Sequence, residues 1–256
     1  MSSIHPTAVI AATAELDSDV AVGPYAIVDR DVRIGARSRI GPHAVIRGPT
    51  SIGTDNRIFQ FASVGEDPQD KKYGGEETFL IIGNGNVIRE YVTLHRGTVQ
   101  DAGETRIGNG NLFMAYSHVA HDCRIGDHVI MANAASLAGH VVVQDWAILG
   151  GFTIVHQFCR IGAYSFCALG SVVSKDIPPY VMVGGHPAQP RGINTEGLRR
   201  RQTDLETIQQ LKTAYRMLYM SNRKLEEAVA AMRALGNAQV DRLADFIADR
   251  SRSIVR

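Results

Sequence analysis

The chain has 256 residues, 45% hydrophobic and 21% charged, with 27 Lys/Arg against 26 Asp/Glu. That balance excludes a disordered chain and a nucleic-acid binder held by a global positive field. No apolar run approaches the roughly 18 residues of a membrane span, the start MSSIHPTAVI has no leader-like region, and three cysteines make a poor disulfide framework, so a soluble cytoplasmic protein without stable membrane insertion is expected.

From Ile4 an aliphatic residue recurs every six positions: Ile4, Ile10, Leu16, Val22, Val28, Ile34, Ile40, Ile46, Ile52, Ile58 and Val64. A mostly small residue follows four positions after each of the first ten, from Ala8 to Ala62. A period of six fits neither an α-helix nor a simple strand. It predicts a parallel β-helix, in which each repeat supplies one short strand and a turn. Three repeats close one triangular coil, so residues 18 apart stack at about 4.8 Å with aliphatic and small positions inward. The pattern breaks over 66–79, resumes at Ile82, Ile88 and Leu94, and breaks again near 99–106. It then runs from Ile107 to Val173. The breaks predict two loops thrown out from the prism. Cys123, Cys159 and Cys167 fall on inward positions, as core residues rather than nucleophiles or ligands.

With the second break read as a loop, the repeats beginning at Leu94, Val119, Leu137 and Val155 share one face. Their turns bring His95, His121, Asp122, Gly139, His140, His156 and Gln157 to one corner, with His118 ending the strand beside them. Two chemistries fit. In one, His121 is a general base oriented by Asp122, since an imidazole near its ordinary pKa of about 6.5 can take a proton from a hydroxyl. Gly139, lacking a side chain, could then bring a backbone N–H to a developing oxyanion. In the other, the histidines bind a metal, although H-x-x-H-D is a poor zinc signature. His5, His43, His128 and His186 read as solvent-facing turn residues.

Leu112, Ile130, Ile148 and Phe166, 18 apart, occupy outward positions. Such a stripe suits a subunit interface, a groove for an acyl chain, or a groove between subunits. The Pro/Gly-rich IPPYVMVGGHPAQPRG, from Ile177, ends the repeat. Beyond it Leu205, Ile208, Leu211, Tyr215, Leu218 and Tyr219 recur at helical spacing. So do Leu225, Val229 and Met232, and later Leu243, Phe246 and Ile247. The expected organisation is a β-helix over 1–190 and a small helical domain over 191–256. The Arg199-Arg200-Arg201 run, taken alone, reads as a solvated helix face.

The segments HVAHDCRIGDHVIMANAASLAGHV, GGFTIVHQFCRIGA and GINTEGLRRR resemble the UDP-N-acetylglucosamine O-acyltransferases, and the similarity spans nearly the whole chain. The resemblance implies a left-handed parallel β-helix, against the usual right-handed crossover. It implies a homotrimer, active sites between subunits and no cofactor or metal. The implied reaction moves an R-3-hydroxyacyl group from acyl carrier protein to the 3-hydroxyl of UDP-N-acetylglucosamine, the first step of lipid A synthesis. In this pattern His121 is the base, Asp122 its orienting carboxylate and Gly139 the oxyanion donor. His95 stands in the same column, and His118, His140, His156 and Gln157 match substrate contacts. Asp70, Lys72, Asn194, Glu196 and Arg200 match sugar-nucleotide contacts, and Arg199, Arg200 and Arg201 suit docking of the acidic carrier. Ile148, Gly151, Phe166 and Leu169 match the acyl groove. Family members accepting long chains carry Gly where Leu169 stands, so a shorter acyl group of about ten to twelve carbons is expected. The alternatives are a zinc enzyme resembling the γ-class carbonic anhydrases, or a non-catalytic β-helix scaffold.

Overall fold

The structure, a computed structural model, describes residues 3–249 and 252–256. Within them, strands of two to five residues lie on three faces of a prism, in sheets of eleven, nine and eight strands. Nearly all pairings are parallel and most are 18 residues apart, as in Ile130 beside Ile148 and Ile148 beside Phe166, widening to 25 or 30 where an insertion intervenes. The aliphatic positions fill the interior, with Ile46, Leu94, Leu137, Leu149 and Ile161 fully buried, and the small positions Ala26, Ala44 and Ala135 pack between them. The first coil is an exception: Ile4, on the edge strand of its sheet, remains 46% exposed.

The faces are joined by tight turns whose last residue is left-handed. Tyr25, His43, Phe61, Tyr91, Tyr116, Asp122, His140 and Phe158 have φ between 57° and 65°. A non-glycine residue there costs about 1–2 kcal/mol. Main-chain bonds between coils offset it, as where the His140 N–H reaches the His121 carbonyl at 3.0 Å and the Phe158 N–H reaches that of Gly139 at 3.1 Å. Two histidines read as solvent-facing join ring stacks while remaining exposed: His43 lies between Tyr25 and Phe61, and His128 lies on Trp146.

The first loop separates the strands Ser63–Glu66 and Phe79–Ile82. The second differs from expectation, occupying 96–103 rather than 99–106. Glu104–Ile107 is drawn into a strand because it pairs along its whole length with Phe79–Ile82. The Pro/Gly segment also fails to end the stack. Ile177 bridges Ile161, and Met182 and Val183 add a parallel rung on Phe166 and Cys167. Only then does Gln189–Ile193 return antiparallel.

Four helices follow: α1 (Thr195–Arg200), α2 (Leu205–Tyr219), α3 (Leu225–Arg233) and α4 (Ala238–Ala248). Ile208, Leu211, Leu218, Met232, Leu243 and Ile247 are buried among them, whereas Leu205 opens α2 with its side chain in solvent. The chain end returns to the prism, Ser253 and Val255 bonding the Asp176 backbone while Arg160 binds the Asp176 carboxylate at 2.6 Å. No helix among the described residues is long and apolar enough to cross a membrane.

One column of inward positions is polar. The Asn56 N–H donates to Ser38 Oγ, the Asn86 N–H to Asn56 Oδ1, the Asn111 N–H to Asn86 Oδ1 and the Val129 N–H to Asn111 Oδ1, at 2.6–3.1 Å. Each side-chain oxygen thus satisfies a buried N–H of the next coil. Asn86→Ala strips the acceptor from Asn111 and two donated bonds from its own amide. It should lower stability by about 2–4 kcal/mol, read as the shift in urea midpoint at constant slope.

Candidate active site

The corner between the second and third faces carries the predicted histidines. His121 and Asp122 are consecutive turn residues, and the left-handed backbone at Asp122 curls its carboxylate back under the ring of His121. His121 Nδ1 lies 2.7 Å from Asp122 Oδ2. A carboxylate opposite Nδ1 holds the proton there and leaves Nε2 as the base. Asp122 is 2% exposed and takes two further bonds, from the Thr98 N–H at 2.8 Å and the Thr98 hydroxyl at 2.7 Å. Burial works to raise the Asp122 pKa. The bonds to His121 and Thr98, with the nearby His140, overcome it and hold the carboxyl below the usual range.

Gly139, one coil above, lies against the His121 ring, where a Cβ would stand 2.6 Å from Cε1 and 2.8 Å from Nε2. Any side chain would displace the imidazole. His140 follows, its ring edge-on to His121 at 5.2 Å and flat against Phe158 at 4.5 Å, with Nδ1 3.2 Å from Asp101. Below them His95 and His118 meet edge-on at 5.0 Å, and His118 Nδ1 pairs with Thr93 Oγ1 at 2.7 Å. Burial first, then the neighbouring His118, His121 and Arg96, push the His95 pKa down to about 4; burial and His121 lower that of His118. His156 and Gln157 are exposed one coil above Gly139.

His121, Asp122 and His140 bring donor atoms within 4.8 Å of one another, the spacing of a metal site. Here the Asp122 oxygen and His121 Nδ1 are spent on each other, and Thr98 takes the same oxygen. This donor set suits a hydrogen-bonded base better than an open coordination shell.

Known proteins are similar to this chain along their whole length. The description of UDP-N-acetylglucosamine O-acyltransferase, domain 2, matches residues 176–255, and that of the bacterial transferase hexapeptide matches 13–48 and 104–139. The acyl-[acyl-carrier-protein]–UDP-N-acetylglucosamine O-acyltransferases of Alkalilimnicola ehrlichii and Neisseria gonorrhoeae are each 56% identical over 258 residues, with all of both chains covered. The solved structure of LpxA from Acinetobacter baumannii superimposes with a TM-score of 0.96 at 47% identity over 99% of each chain. The chain belongs to the UDP-N-acetylglucosamine O-acyltransferase family. Its prism is the left-handed parallel β-helix of hexapeptide repeats.

In this acyltransferase the other expected site residues lie away from the histidines. Asp70 and the exposed Lys72 sit in the first loop, where Asp70 Oδ1 takes the Lys72 N–H at 3.0 Å. Asn194 is buried as the N-cap of α1, its Oδ1 taking the Gly197 N–H at 3.0 Å and its Nδ2 reaching the Tyr164 carbonyl at 2.9 Å. Both ends of this amide hold α1 on the prism. Glu196 and Arg200 pair with one another at 3.0 Å on the exposed face of α1, with Arg199 also exposed. Arg201 differs from its two neighbours in the run. Its guanidinium lies 4.4 Å over the Trp146 ring and bonds the Gly197 carbonyl at 3.0 Å, so it packs α1 on the prism. The apolar stripe is longer than expected, Val87 and Met182 continuing it at its two ends.

Thr98, Thr105 and Asp101 carry no periodic signal in the sequence, and Arg96 is legible there only as the turn residue after His95. Arg96, 6% exposed, donates to the carbonyls of Gly48 at 2.9 Å and Gly65 at 2.6 Å, to the Tyr73 hydroxyl at 3.0 Å and to the Asp67 carboxylate, pinning the first loop. A polar residue opening an insertion was the only signal.

The buried imidazoles make stability depend on pH. His95 is held neutral when folded, down to about 4, and takes a proton near 6.5 when unfolded. Its contribution is complete above pH 6.5 and lost as pH falls towards 4, on the order of 3 kcal/mol. Thermal melts should show the midpoint falling across that window, with a flatter fall in His95→Gln.

Proposed function

We infer that this chain transfers an R-3-hydroxyacyl group from acyl carrier protein to the 3-hydroxyl of UDP-N-acetylglucosamine, the first step of lipid A biosynthesis. Identity along the whole chain to relatives of that name supports the reaction. The observation that carries the mechanism is the His121–Asp122 pair seated against Gly139.

In this reading His121 Nε2 removes the proton of the sugar 3-hydroxyl as the oxygen attacks the thioester carbon. The charge that develops on the carbonyl oxygen meets the Gly139 N–H, which has no acceptor among the described residues. When the C–S bond breaks, the carrier thiolate leaves and takes the proton back from His121. No protein nucleophile is needed, in keeping with buried cysteines whose thiols are pushed up to about 11–12 by burial.

We propose that the active unit is a homotrimer. On one prism the expected contacts lie on three different edges. The histidines occupy one, Gly151 and Leu169 another, and Asn194 stands at the third beside Tyr164. A full face separates each pair of edges, so a neighbouring copy would complete the site. The half-buried stripe Leu112, Ile130, Ile148 and Phe166 gives that copy an apolar surface. Residues 1–190 would carry the chemistry, and Arg199 and Arg200 in 191–256 would meet the carrier. The proposed location is the cytoplasm, where a carrier-borne acyl group and a sugar nucleotide meet.

Leu169 is 74% exposed and leans on Gly151, where a Cβ would stand 3.3 Å from its Cδ1. A groove passing here loses room for several methylenes, each worth about 0.8 kcal/mol. Transfer from 3-hydroxyacyl carriers of about six to sixteen carbons should show one preferred length near ten to twelve. Leu169→Gly should move the preference to longer chains; an unchanged profile rejects the ruler, and no product at any length rejects the function. His121→Ala should cut kcat by about a hundredfold or more while the oligomer seen by light scattering is retained.

A further inference from the structure

The loop 96–103 is folded tightly over the carboxylate of the site. Gly97 presses against Glu104, where a Cβ would stand 2.3 Å from the Glu104 nitrogen. The Thr98 carbonyl takes the N–H groups of Asp101 at 3.3 Å and Gly103 at 3.1 Å, closing the loop on itself. Thr98 is 1% exposed. Its N–H holds Asp122 Oδ1, and its hydroxyl holds Oδ2, the oxygen that also faces His121 Nδ1. Beyond the loop, Thr105 Oγ1 takes the Asp122 N–H at 2.8 Å.

Asp122 Oδ2 has a second imidazole within reach, since His140 Nε2 lies 3.7 Å away. The torsion that swings a carboxylate is soft, so hydrogen bonds must decide which ring it serves. The same loop settles both rings. Asp101 faces His140 Nδ1, which favours the proton there and leaves a lone pair on Nε2, turned towards Asp122. The Thr98 hydroxyl fixes Oδ2 on His121.

We propose that Thr98 is a positioning residue for acyl transfer: its hydroxyl fixes the Asp122 oxygen on His121 and so sets the tautomer and basicity of the imidazole. The rate consequence rests on the function proposed above; the effect on the His121–Asp122 pair does not. The titratable groups around that pair are His140, Asp101 with Arg124 3.7 Å beyond it, His118 on the same coil, His95 on the coil below, and buried Cys123.

The test compares Thr98→Val, which removes the hydroxyl at similar volume, with Thr98→Ser, which keeps it. A lost donor makes the ionised carboxylate less favourable, so the coupled pair should titrate at higher pH. Histidine-selective 15N spectra of the intact protein should show the His121 titration moved upward in Thr98→Val and restored in Thr98→Ser. The acid limb of kcat/KM should move with it. The kcat should fall about tenfold or more, with KM for sugar nucleotide and carrier unchanged. A His121 titration identical in parent and Thr98→Val overturns the proposal, whatever the rate. A parent enzyme that transfers no acyl group instead overturns the function and leaves the spectra to decide on Thr98.

Discussion

Every feature of this molecule depends on one constraint: each coil hydrogen-bonds to the next in fixed register. The Gly41 N–H meets the Ile58 carbonyl at 2.7 Å, and the Gly126 N–H meets that of Val143 at 2.8 Å. With strands this short, no single rung is stable alone, and stability accumulates between neighbours. Register then turns sequence spacing into columns. An aliphatic residue stands above an aliphatic one, an asparagine above an asparagine, and a histidine turn above a histidine turn. The chemistry inherits the regularity of the scaffold, since Gly139 reaches His121 only because the two turns are one coil apart.

That translation explains what the sequence makes legible. Faces, inward positions, the histidine corner and the outward apolar stripe all follow from a period of six. The residues that escaped are those with no period. Thr98 and Asp101 lie in an insertion, where nothing in the spacing says which way the chain turns. Its boundary was misplaced because Glu104 is a strand residue only in the presence of Phe79. Arg201 stood in a basic run whose solvated reading depends on what lies beneath. Trp146 and Tyr164, stacked at another corner, turn it into a packing residue.

The two insertions are coupled. Arg96 opens the second loop and its guanidinium grips the first, through the Gly65 carbonyl, Tyr73 and Asp67. Two residues on, Thr98 grips the Asp122 carboxylate. One short segment therefore links the loop carrying Asp70 and Lys72 to the pair that would activate the acceptor hydroxyl. A disturbance of the first loop has a direct route to the base, through two buried polar residues rather than through the prism.

The histidine column shows how one residue type is divided among roles by depth and partner. His95 is buried and His118 half-buried, neither bonded to a carboxylate, and their pKa values fall. Protonated, they would place two cations beside His121 and weaken it as a base. Held neutral, they leave its field to Asp122. His140 is turned by Asp101 and braced on Phe158, so its Nε2 lone pair faces the carboxylate instead of competing for it. Of the imidazoles at this corner, His121 alone bonds Asp122 directly, and the carboxylate stays ionised because that bond and those of Thr98 offset the cost of burial. In the proposed mechanism the position of one buried negative charge selects the general base, and the loop that fixes this charge would serve catalysis as much as the histidine does.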